Sequence, residues 1–538
     1  MRDRSAARYL LIGVGLLLTA PGEAPAEGLV LRGVTVVDVV DGTLRPGQSV
    51  VVEGERITAV GPAGAVEVPE GGEVVEAEGG YLVPGLWDMH VHSVQDEGGD
   101  AEAVATADWH LPLFLAHGVT GIRNMNDGTG DVTLELVHEV KRRLVEGDLV
   151  GPARLLANGP SLDGDPPLAD NPVVVRTAEE ARAAVDELAN AGADFVKVYE
   201  NLSRDAYFAI LDRARLRGLP VDGHLPFRID PEEAAQAGQR TIEHPDGLAA
   251  GCAADPDGER QRFARVLSGY GALPDSEKFL ALFRHSRALY DGRDPAACVA
   301  AAEAFVRHGV AVVADVVAYH HVVHAREVLS DAAHGRYVPM AVRRGWEELV
   351  DSETYRDFRS ILEPIVPLEL ETIRRYEQAG VTLLAGTDVG VPFQVPGISL
   401  HEELLRLVEA GLTPLSALQT ATIHPARVLG LADALGTVEA GKLADLVLLD
   451  ADPLADIRNT RKIRAVVANG RLFRRQDLDR LLAGAEAQEA PAEREEPPDT
   501  RPDPRGRQVL HLAVQILRRR WVDRSPSRSA QPLRPVDR

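Results

Sequence analysis

One stretch, Tyr81–Ser93 (YLVPGLWDMHVHS), raises the first structural question, because a mostly apolar β-type run ends in two histidines one residue apart. Residues i and i+2 of a strand share a face, so Asp88, His90 and His92 are expected to point the same way. An isolated His-x-His pair is more often a surface or core pair than a pair of ligands. Its meaning therefore depends on what stands at the ends of other such runs.

Seven more β-type runs follow, and amphipathic segments that mostly end in glycine separate them. The eight runs are YLVPGLWDMHVH (81–92), GVTGIRNM (118–125), PARLLANG (152–159), ADFVKVYE (193–200), LPVDGHL (219–225), RTIEHP (240–245), GVAVVADVV (309–317) and GVTLLAGTDVG (380–390). Eight such repeats predict an α/β fold, a (β/α)8 TIM-type barrel, with its chemistry at the carboxyl ends of the strands.

Alternating, β-branched segments flank the barrel on both sides, LVLRGVTVVDVV before it and GTVEAGKLADLVLLDADP after it. We predict that residues 27–80 and 431–480 form one small β-sandwich built from both flanks of the chain, which leaves 81–430 for the barrel. The barrel carries insertions at about 247–308 and 322–367, and insertions at this face usually shape a substrate pocket.

The two ends of the chain differ in composition from the rest. Arg2, Arg4 and Arg8 precede the apolar run YLLIGVGLLLTA. This run is too short to span a membrane. Residues 1–26 are therefore predicted to be a signal peptide of an exported protein, periplasmic or secreted, with no stable membrane span after cleavage. An uncleaved anchor is the alternative. Residues 481–538, rich in Glu, Pro, Arg and Asp, are predicted to be a disordered tail.

Bulk composition restricts the class of partner. The 538 residues include 58 basic and 82 acidic side chains, a formal net charge of −24, which argues against nucleic acid as the partner. The expected partner is a small-molecule substrate, and the charge says little about which one. The two cysteines, Cys252 and Cys298, form either a disulfide or two buried thiols, and the sequence leaves both open, as it does homo-oligomerisation.

Nitrogen and oxygen donors end four other predicted strands, the fourth, fifth, sixth and eighth. They are Lys197 in DFVKVYE, His224 in DGHLP, His244 in TIEHP and Asp388 in LLAGTDVG. A closed barrel would otherwise fill such positions with apolar side chains. Together with the His-x-His pair, these donors predict a metal site at one end of the barrel.

Lys197 needs its own argument, because an ammonium group cannot ligate a metal. An apolar setting favours the neutral amine, which can take up carbon dioxide and form a carbamate with two ligating oxygens. The alternative is a lysine that lies along apolar surface with its ammonium in water. Because histidines end the neighbouring strands and buried lysines are rare, we favour the ligand.

The motifs together resemble the amidohydrolase superfamily, and the nearest group is the imidazolonepropionase-related and Xaa-Pro dipeptidase-like members. The resemblance rests on VPGLWDMHVH, the lysine of KVYE, the later histidines, GTD and ATIHPARVLGL…GTVEAGKLADLVLLD. It covers about Leu29 to Phe473 without the insertions.

This resemblance implies a centre of two divalent metal ions, for which zinc suits the imidazole and carboxylate donors. One ion would be held by His90, His92 and Asp388, the other by His224 and His244, with carboxylated Lys197 as the bridging ligand. It further implies hydrolysis of an amide-type C–N bond, in a dipeptide or N-acyl amino acid, by a metal-bridging hydroxide.

Two residues receive catalytic roles from the same resemblance. Asp388 would accept the proton of the hydroxide and pass it to the leaving amine. Tyr199 shares the face of Lys197 and would either hydrogen-bond the developing oxyanion or only line the site.

Departures from the resemblance concern the substrate. NGPSLDGDPP lacks the Gly-Gly-His that dipeptide-cleaving relatives often carry after the third strand, which weakens a strict dipeptidase interpretation. Arg123 could anchor an anionic substrate group or form a structural ion pair, and His401 could support the ligands or line the pocket. We interpret His320 and His321 as ordinary loop histidines.

Three alternatives remain open. The same binuclear site could act on a cyclic amide, a lactone or a phosphoester. A mononuclear deaminase-like relative typically lacks the bridging lysine, so Lys197 argues against it. A non-catalytic, metal-free binding protein on the same fold would have no reason to keep all six donors.

Overall fold

The computed structural model describes residues 28–94, 100–125, 134–169, 172–245, 251–270 and 272–487. The predicted signal peptide and the tail from residue 488 onward lie outside these residues. Among the helices that are described, none combines the length and apolar character needed to cross a bilayer.

The strands fall into a flanking sheet and a barrel. In chain order they are β1 Leu29–Val37, β2 Leu44–Glu53, β3 Arg56–Pro62, β4 Glu73–Glu76, β5 Tyr81–Pro84, β6 Leu86–Val91, β7 Val119–Asn124, β8 Arg154–Ala157, β9 Leu162–Asp163, β10 Val173–Val174, β11 Val196–Val198, β12 Val221–Gly223, β13 Thr241–Glu243, β14 Ala311–Val313, β15 Thr382–Leu384, β16 Leu446–Leu449, β17 Ile463–Ala468 and β18 Arg471–Arg474.

The flanking sheet joins both sides of the barrel sequence, as predicted. Its order is β18-β17-β16-β5-β1-β2-β3, with β4 on β1. The central strand β16 is buried on both faces: Leu446 and Leu448 pack in the core of the sheet, whereas Val447 and Leu449 pack against the barrel. This alternation follows from the two-residue period of a strand. The run at 81–92 divides at Gly85, so Tyr81–Pro84 belongs to this sheet and only the following residues to the barrel.

The barrel strands occur in three parallel groups, β6-β7-β8, β10-β9-β11-β12 and β13-β14-β15. Each of the eight predicted runs contains one of these strands, so the α/β barrel class is confirmed. A continuous ladder around the barrel is not formed among the described residues. Backbone hydrogen bonds still connect the first strand to the eighth, from Met89 N to Ala385 O at 2.9 Å, and the fifth to the sixth, from Arg240 N to Val221 O at 2.7 Å.

Helices alternate with the barrel strands and fill the two insertions. The described helices are Asp100–Ala116, Leu134–Glu146, Ala178–Ala191, Arg204–Arg217, Pro231–Ala237, Pro256–Tyr270, Asp275–Asp291, Pro295–His308, Val316–Val323, Ala325–Ser330, Ala332–Gly335, Met340–Asp351, Glu353–Leu362, Val366–Ala379, Ile398–Ala410, Pro414–Thr420, Ile423–Val428 and Arg475–Ala487, with a 3-10 turn at Ile457–Arg461. The predicted glycine C-caps are confirmed. Gly192, with a φ of 85°, ends the helix Ala178–Ala191. Thr177 begins this helix, and its side chain accepts a hydrogen bond from Glu180 N.

The structure settles the state of the two cysteines, which the sequence left open, and corrects the predicted start of the disordered tail. Cys252 and Cys298 are joined as a disulfide, which connects the start of the first insertion to its last helix, Pro295–His308. Residues 481–487, assigned to a disordered tail, continue the helix Arg475–Ala487, in which Leu478 and Ala485 are buried. The apolar side chains of this helix pack on the barrel, and their burial stabilises the helix although the polar composition of the tail begins here.

Candidate metal centre and active site

The two histidines of the opening stretch lie side by side at the carboxyl end of β6. His90 Nε2 and His92 Nε2 are 3.2 Å apart, and both face Asp388 Oδ1, at 3.4 Å and 2.9 Å. His90 and His92 are almost fully buried. Three side chains predicted from two strands therefore offer their ligand atoms to one point.

A second group shares His90 and includes a residue that sequence reasoning missed. Asp315 Oδ2 lies 3.2 Å from His90 Nδ1 and 3.3 Å from His244 Nδ1. Asp315 follows β14 as Asp388 follows β15, so its position after a barrel strand was an available signal. Each of the two groups, His90–His92–Asp388 and His90–His244–Asp315, could hold a cation, and a neutral His90 ring can be a ligand in only one of them at a time.

The backbone at the ends of the strands is held in an unusual conformation. His244, Asp315 and Asp388 have φ values of 61°, 47° and 56°, a region that residues other than glycine seldom adopt. Each such residue costs about 1–3 kcal/mol and persists only where the surroundings enforce it, and such residues cluster at functional sites. All three conformations turn candidate ligands toward the same space.

Gly386, the glycine of GTD, allows these groups to approach closely. A Cβ at this position would lie 2.1 Å from Asp315 Oδ1, 2.6 Å from Val313 Cγ1 and 2.9 Å from the Cβ of His90. No side chain can fit without moving His90 or Asp315.

We therefore expect Gly386→Ala to lower metal occupancy and to reduce kcat/KM by at least about 100-fold, since small displacements of reacting groups have effects of this size. Metal quantification and steady-state kinetics measure both effects. Gly484→Ala is the matched control, because a Cβ there meets open space. Normal metal content in Gly386→Ala would contradict the role given to this close approach.

Lys197 lies in the interior of the barrel, with no exposed surface. Its Nζ donates a hydrogen bond to Met125 O at 3.0 Å and lies 5.7 Å from the centre of the Tyr199 ring. The alternative of a lysine with its ammonium in water is therefore excluded.

His224 and Tyr199 line the cavity beside the metal-ligand groups. Their ring centres are 4.2 Å apart, and the His224 ring is 5.0 Å from that of His244. His224 Nδ1 is 2.9 Å from Glu200 Oε1, a partner that sequence reasoning did not identify. A carboxylate on Nδ1 fixes the ring so that Nε2 is the nitrogen available to a ligand.

Arg123 is placed in an ion-pair network rather than in the pocket. It is fully buried, and its guanidinium donates to Met89 O, Asp222, Thr241 and Glu243. These contacts leave it without access to a substrate, so the structure shows the ion pair that the sequence left as the alternative. A fully paired buried guanidinium holds β6, β7, β12 and β13 together beneath the site.

His401 and His321 also differ from expectation. His401 is 2.9 Å from Thr460 Oγ1 and 3.0 Å from His117 O, so it fastens a helix to the outside of the barrel and does not line the pocket. His321 is not an ordinary loop histidine: it is buried in the helix Val316–Val323, beside Glu402.

The site concentrates acidic groups under strong desolvation. Burial raises the pKa of Asp88 to about 8, against hydrogen bonds from Thr387 and the backbone of His90 that lower it. Burial, followed by the nearby charges of Asp388 and Glu243, raises the pKa of Asp315 well above its usual range. Burial also lowers the pKa of His90, which keeps this imidazole neutral and able to ligate a metal.

These residues fit a pair of divalent cations. Asp315 is 3% exposed, and neither of its carboxylate oxygens accepts a hydrogen bond among the described residues, although His90 Nδ1 and His244 Nδ1 lie 3.2 and 3.3 Å from Oδ2. A buried carboxylate without a donor is costly, whereas direct coordination to a cation would compensate its desolvation. Imidazole and carboxylate donors suit zinc and related divalent ions.

A cavity opens over the centre and reaches His224, His244 and Asp388. The two insertions contribute part of its wall through aromatic and aliphatic side chains: Leu282, Phe283, Val322, Leu349, Tyr355 and Phe358. Neither lysine nor arginine is among the described lining residues. The result is a largely apolar pocket whose floor carries the donors.

Comparisons with known proteins give one family and one fold. The model of the Amidohydrolase family matches residues 81–473. An adenine deaminase of Paracoccus denitrificans (strain Pd 1222) is 38% identical over 121 residues, 21% of this chain and 20% of that protein. An adenine deaminase of Moorella thermoacetica is 24% identical over 462 residues, 85% of this chain and 60% of that protein.

A solved structure supports the same architecture. A Xaa-Pro dipeptidase with bound methionine in its active site has a TM-score of 0.59 and 21% identity, over 83% of this chain and all of that one (100%). The chain thus spans about a fifth of the first adenine deaminase, somewhat more than half of the second, and the whole dipeptidase fold. The family match extends over the barrel and its metal-ligand groups. This protein therefore belongs to the amidohydrolase family, a family of metal-dependent hydrolases of C–N bonds.

Proposed function

We propose that this protein hydrolyses an amide-type C–N bond in a substrate that carries a bulky apolar group, such as an N-acyl amino acid or a dipeptide. The observation that carries the proposal is the apolar cavity that ends at His224, His244 and Asp388. Its aromatic wall would bury the apolar part of a substrate and direct the neighbouring carbonyl to the floor.

Two divalent ions, when bound, supply Lewis acidity and an acidified water. Side chains of the protein would transfer the proton and stabilise the developing negative charge. Asp388 faces His90 and His92 and lines the cavity, so it can receive a proton and return it to the leaving amine. Tyr199 lies against His224 and Lys197, where its hydroxyl could stabilise an oxyanion.

This proposal does not require that the substrate carry a carboxylate, because neither lysine nor arginine is among the described lining residues. A panel should therefore pair each N-acyl amino acid with its uncharged amide. We expect kcat/KM to rise about 10–200-fold when a small acyl group is replaced by one that fills the pocket. Equal rates for small and large acyl groups would contradict the proposal.

Phe283 tests the apolar wall directly. Its ring centre is 4.7 Å from that of Phe358 and 5.8 Å from that of Tyr319. We expect Phe283→Ala to lower kcat/KM about 10-fold or more for the bulky substrate, since about 2–3 kcal/mol of apolar contact is lost, and to leave an acetyl substrate unchanged. Phe208→Ala, a half-buried phenylalanine on an outer helix, is the matched control.

Deamination of adenine is a second candidate, because the relative from Moorella thermoacetica is an adenine deaminase that matches 85% of this chain. The reaction also hydrolyses a C–N bond. Adenine therefore belongs in the substrate panel, with released ammonia as the measurement. Turnover of adenine with no turnover of any amide would replace the first proposal by the second.

We also propose that the protein is exported, with zinc as its native metal and a carbamate on Lys197. The basic, then apolar, first residues support export. A disulfide between Cys252 and Cys298 supports an oxidising compartment. Sequencing of the mature amino terminus, elemental analysis and intact mass measurement test these three statements in turn.

A further inference from the structure

A third group of ligand-type side chains lies apart from the catalytic centre. His321 Nε2 is 2.6 Å from Glu402 Oε2, and His334 Nε2 is 2.8 Å from the same oxygen. The three ligand atoms lie within 4.8 Å of one another. They come from three helices, Val316–Val323, Ala332–Gly335 and Ile398–Ala410, and none of the three residues lines the cavity over the catalytic centre.

The outer nitrogens of both rings face acceptors. His321 Nδ1 is 3.1 Å from Phe393 O, and His334 Nδ1 is 3.3 Å from Asp331 Oδ2. His321 Nδ1 therefore carries a proton toward the Phe393 carbonyl, which leaves the Nε2 lone pair of a neutral ring pointing at Glu402 Oε2. That contact needs positive charge between the two atoms, as an added proton or as a metal ion.

Both histidines are buried, and Glu402 is already paired through its other oxygen. His321 and His334 are 3% and 5% exposed. Glu402 Oε1 accepts a hydrogen bond from Arg461 at 2.9 Å, which leaves Oε2 to the two rings. A divalent ion would take ligands from both neutral imidazoles and from Oε2, whereas protonation would leave buried imidazolium ions beside a single carboxylate.

We propose that His321, His334 and Glu402 bind one divalent transition-metal ion, of the kind that zinc represents, at a site separate from the catalytic centre. Two imidazoles and a carboxylate form a recognised zinc ligand set with a fourth position left for solvent. The contact of His321 Nδ1 with the Phe393 carbonyl matches the outer hydrogen bond that orients a metal-bound histidine.

An ion at this position would fasten the second insertion to the barrel. Phe393, whose carbonyl holds His321, has a φ of 72° and lines the cavity. The helix Val316–Val323 also carries Tyr319 and Val322 into that cavity. The ion would thereby fix one wall of the pocket without contacting the substrate.

The test compares bound metal in the full-length protein and in His334→Ala, after dialysis against buffered micromolar free zinc. We expect the variant to hold one zinc ion fewer per chain, whatever number the catalytic centre holds, so the result is independent of the proposed function. We also expect the affinity of the lost site to fall at least about 100-fold. The matched control is His308→Ala, an exposed histidine at a helix end, with unchanged zinc content.

Glu402→Gln is the second variant, because it keeps the size of the side chain. It should show the same loss of one ion and a smaller zinc-dependent rise in Tm than the parent protein. Equal zinc content in parent, His334→Ala and Glu402→Gln, with equal zinc-dependent shifts in Tm, would overturn the proposal and assign the cluster to protonated histidines.

Discussion

Lys197→Ala is expected to lower kcat by about 10³-fold or more and to reduce the metal content of the catalytic centre. Lys197 has no exposed surface and its Nζ lies 5.7 Å from the centre of the Tyr199 ring, so its removal leaves an empty space inside the barrel beside that ring. If it carries a carbamate, the variant also loses two anionic oxygens, and several kcal/mol of stabilisation corresponds to this loss of rate. Metal analysis and steady-state kinetics measure the two effects.

A short carboxylic acid offers a sharper form of the same experiment. Formate or acetate can occupy the vacated space and supply the missing oxygens, so part of the activity of Lys197→Ala should return as the acid is added. Lys462→Ala, at an exposed lysine, is the control and should behave as the parent protein. Full metal content and full activity in Lys197→Ala would remove the carbamate from the proposed mechanism.

Asp388→Asn is expected to lower kcat by about 10²–10⁴-fold, the range associated with loss of a positioned proton acceptor. The amide keeps the size of the side chain and the φ of 56°, so the Tm should change little. Since an amide cannot take up the proton, the acidic limb of the pH–rate profile should also disappear. Asp450→Asn, on an exposed turn, is the control.

Metal content separates the two roles that Asp388 could have. Its Oδ1 lies near both His90 and His92, so the carboxylate could hold an ion as well as transfer a proton. A slow variant with normal metal content supports proton transfer, whereas loss of metal and activity together assigns the residue to coordination. An active variant with an unchanged pH profile would exclude both.

The positions of the barrel strands could be read from the sequence because each apolar run has a period and an end. His90, His92, His244 and Asp388 could be predicted for the same reason: polar residues at the ends of parallel strands must meet at one face. Asp315 was missed although it stands in an equivalent place, since a single aspartate after AVVA has no distinguishing spacing. The pairing of His90 with both aspartates depends on three positive φ values that local sequence does not reveal.

The roles of Arg123, His401 and His321 depended on contacts distant in the chain. Arg123 meets Asp222 and Glu243, 99 and 120 residues away, and His321 meets Glu402 through the packing of an insertion helix. Side-chain chemistry alone cannot distinguish a substrate anchor from a buried ion pair, because both require the same guanidinium.

The sequence by itself determined the barrel, the flanking sheet and most of the donors, because apolar periodicity and strand-end positions are local properties of the chain. The tertiary structure alone decided which donors lie within ligand distance of one another, that the guanidinium of Arg123 is already paired, and that the insertions contribute to an apolar pocket. Those properties are set by distances between segments far apart in the chain, and such distances exist only after the core has packed.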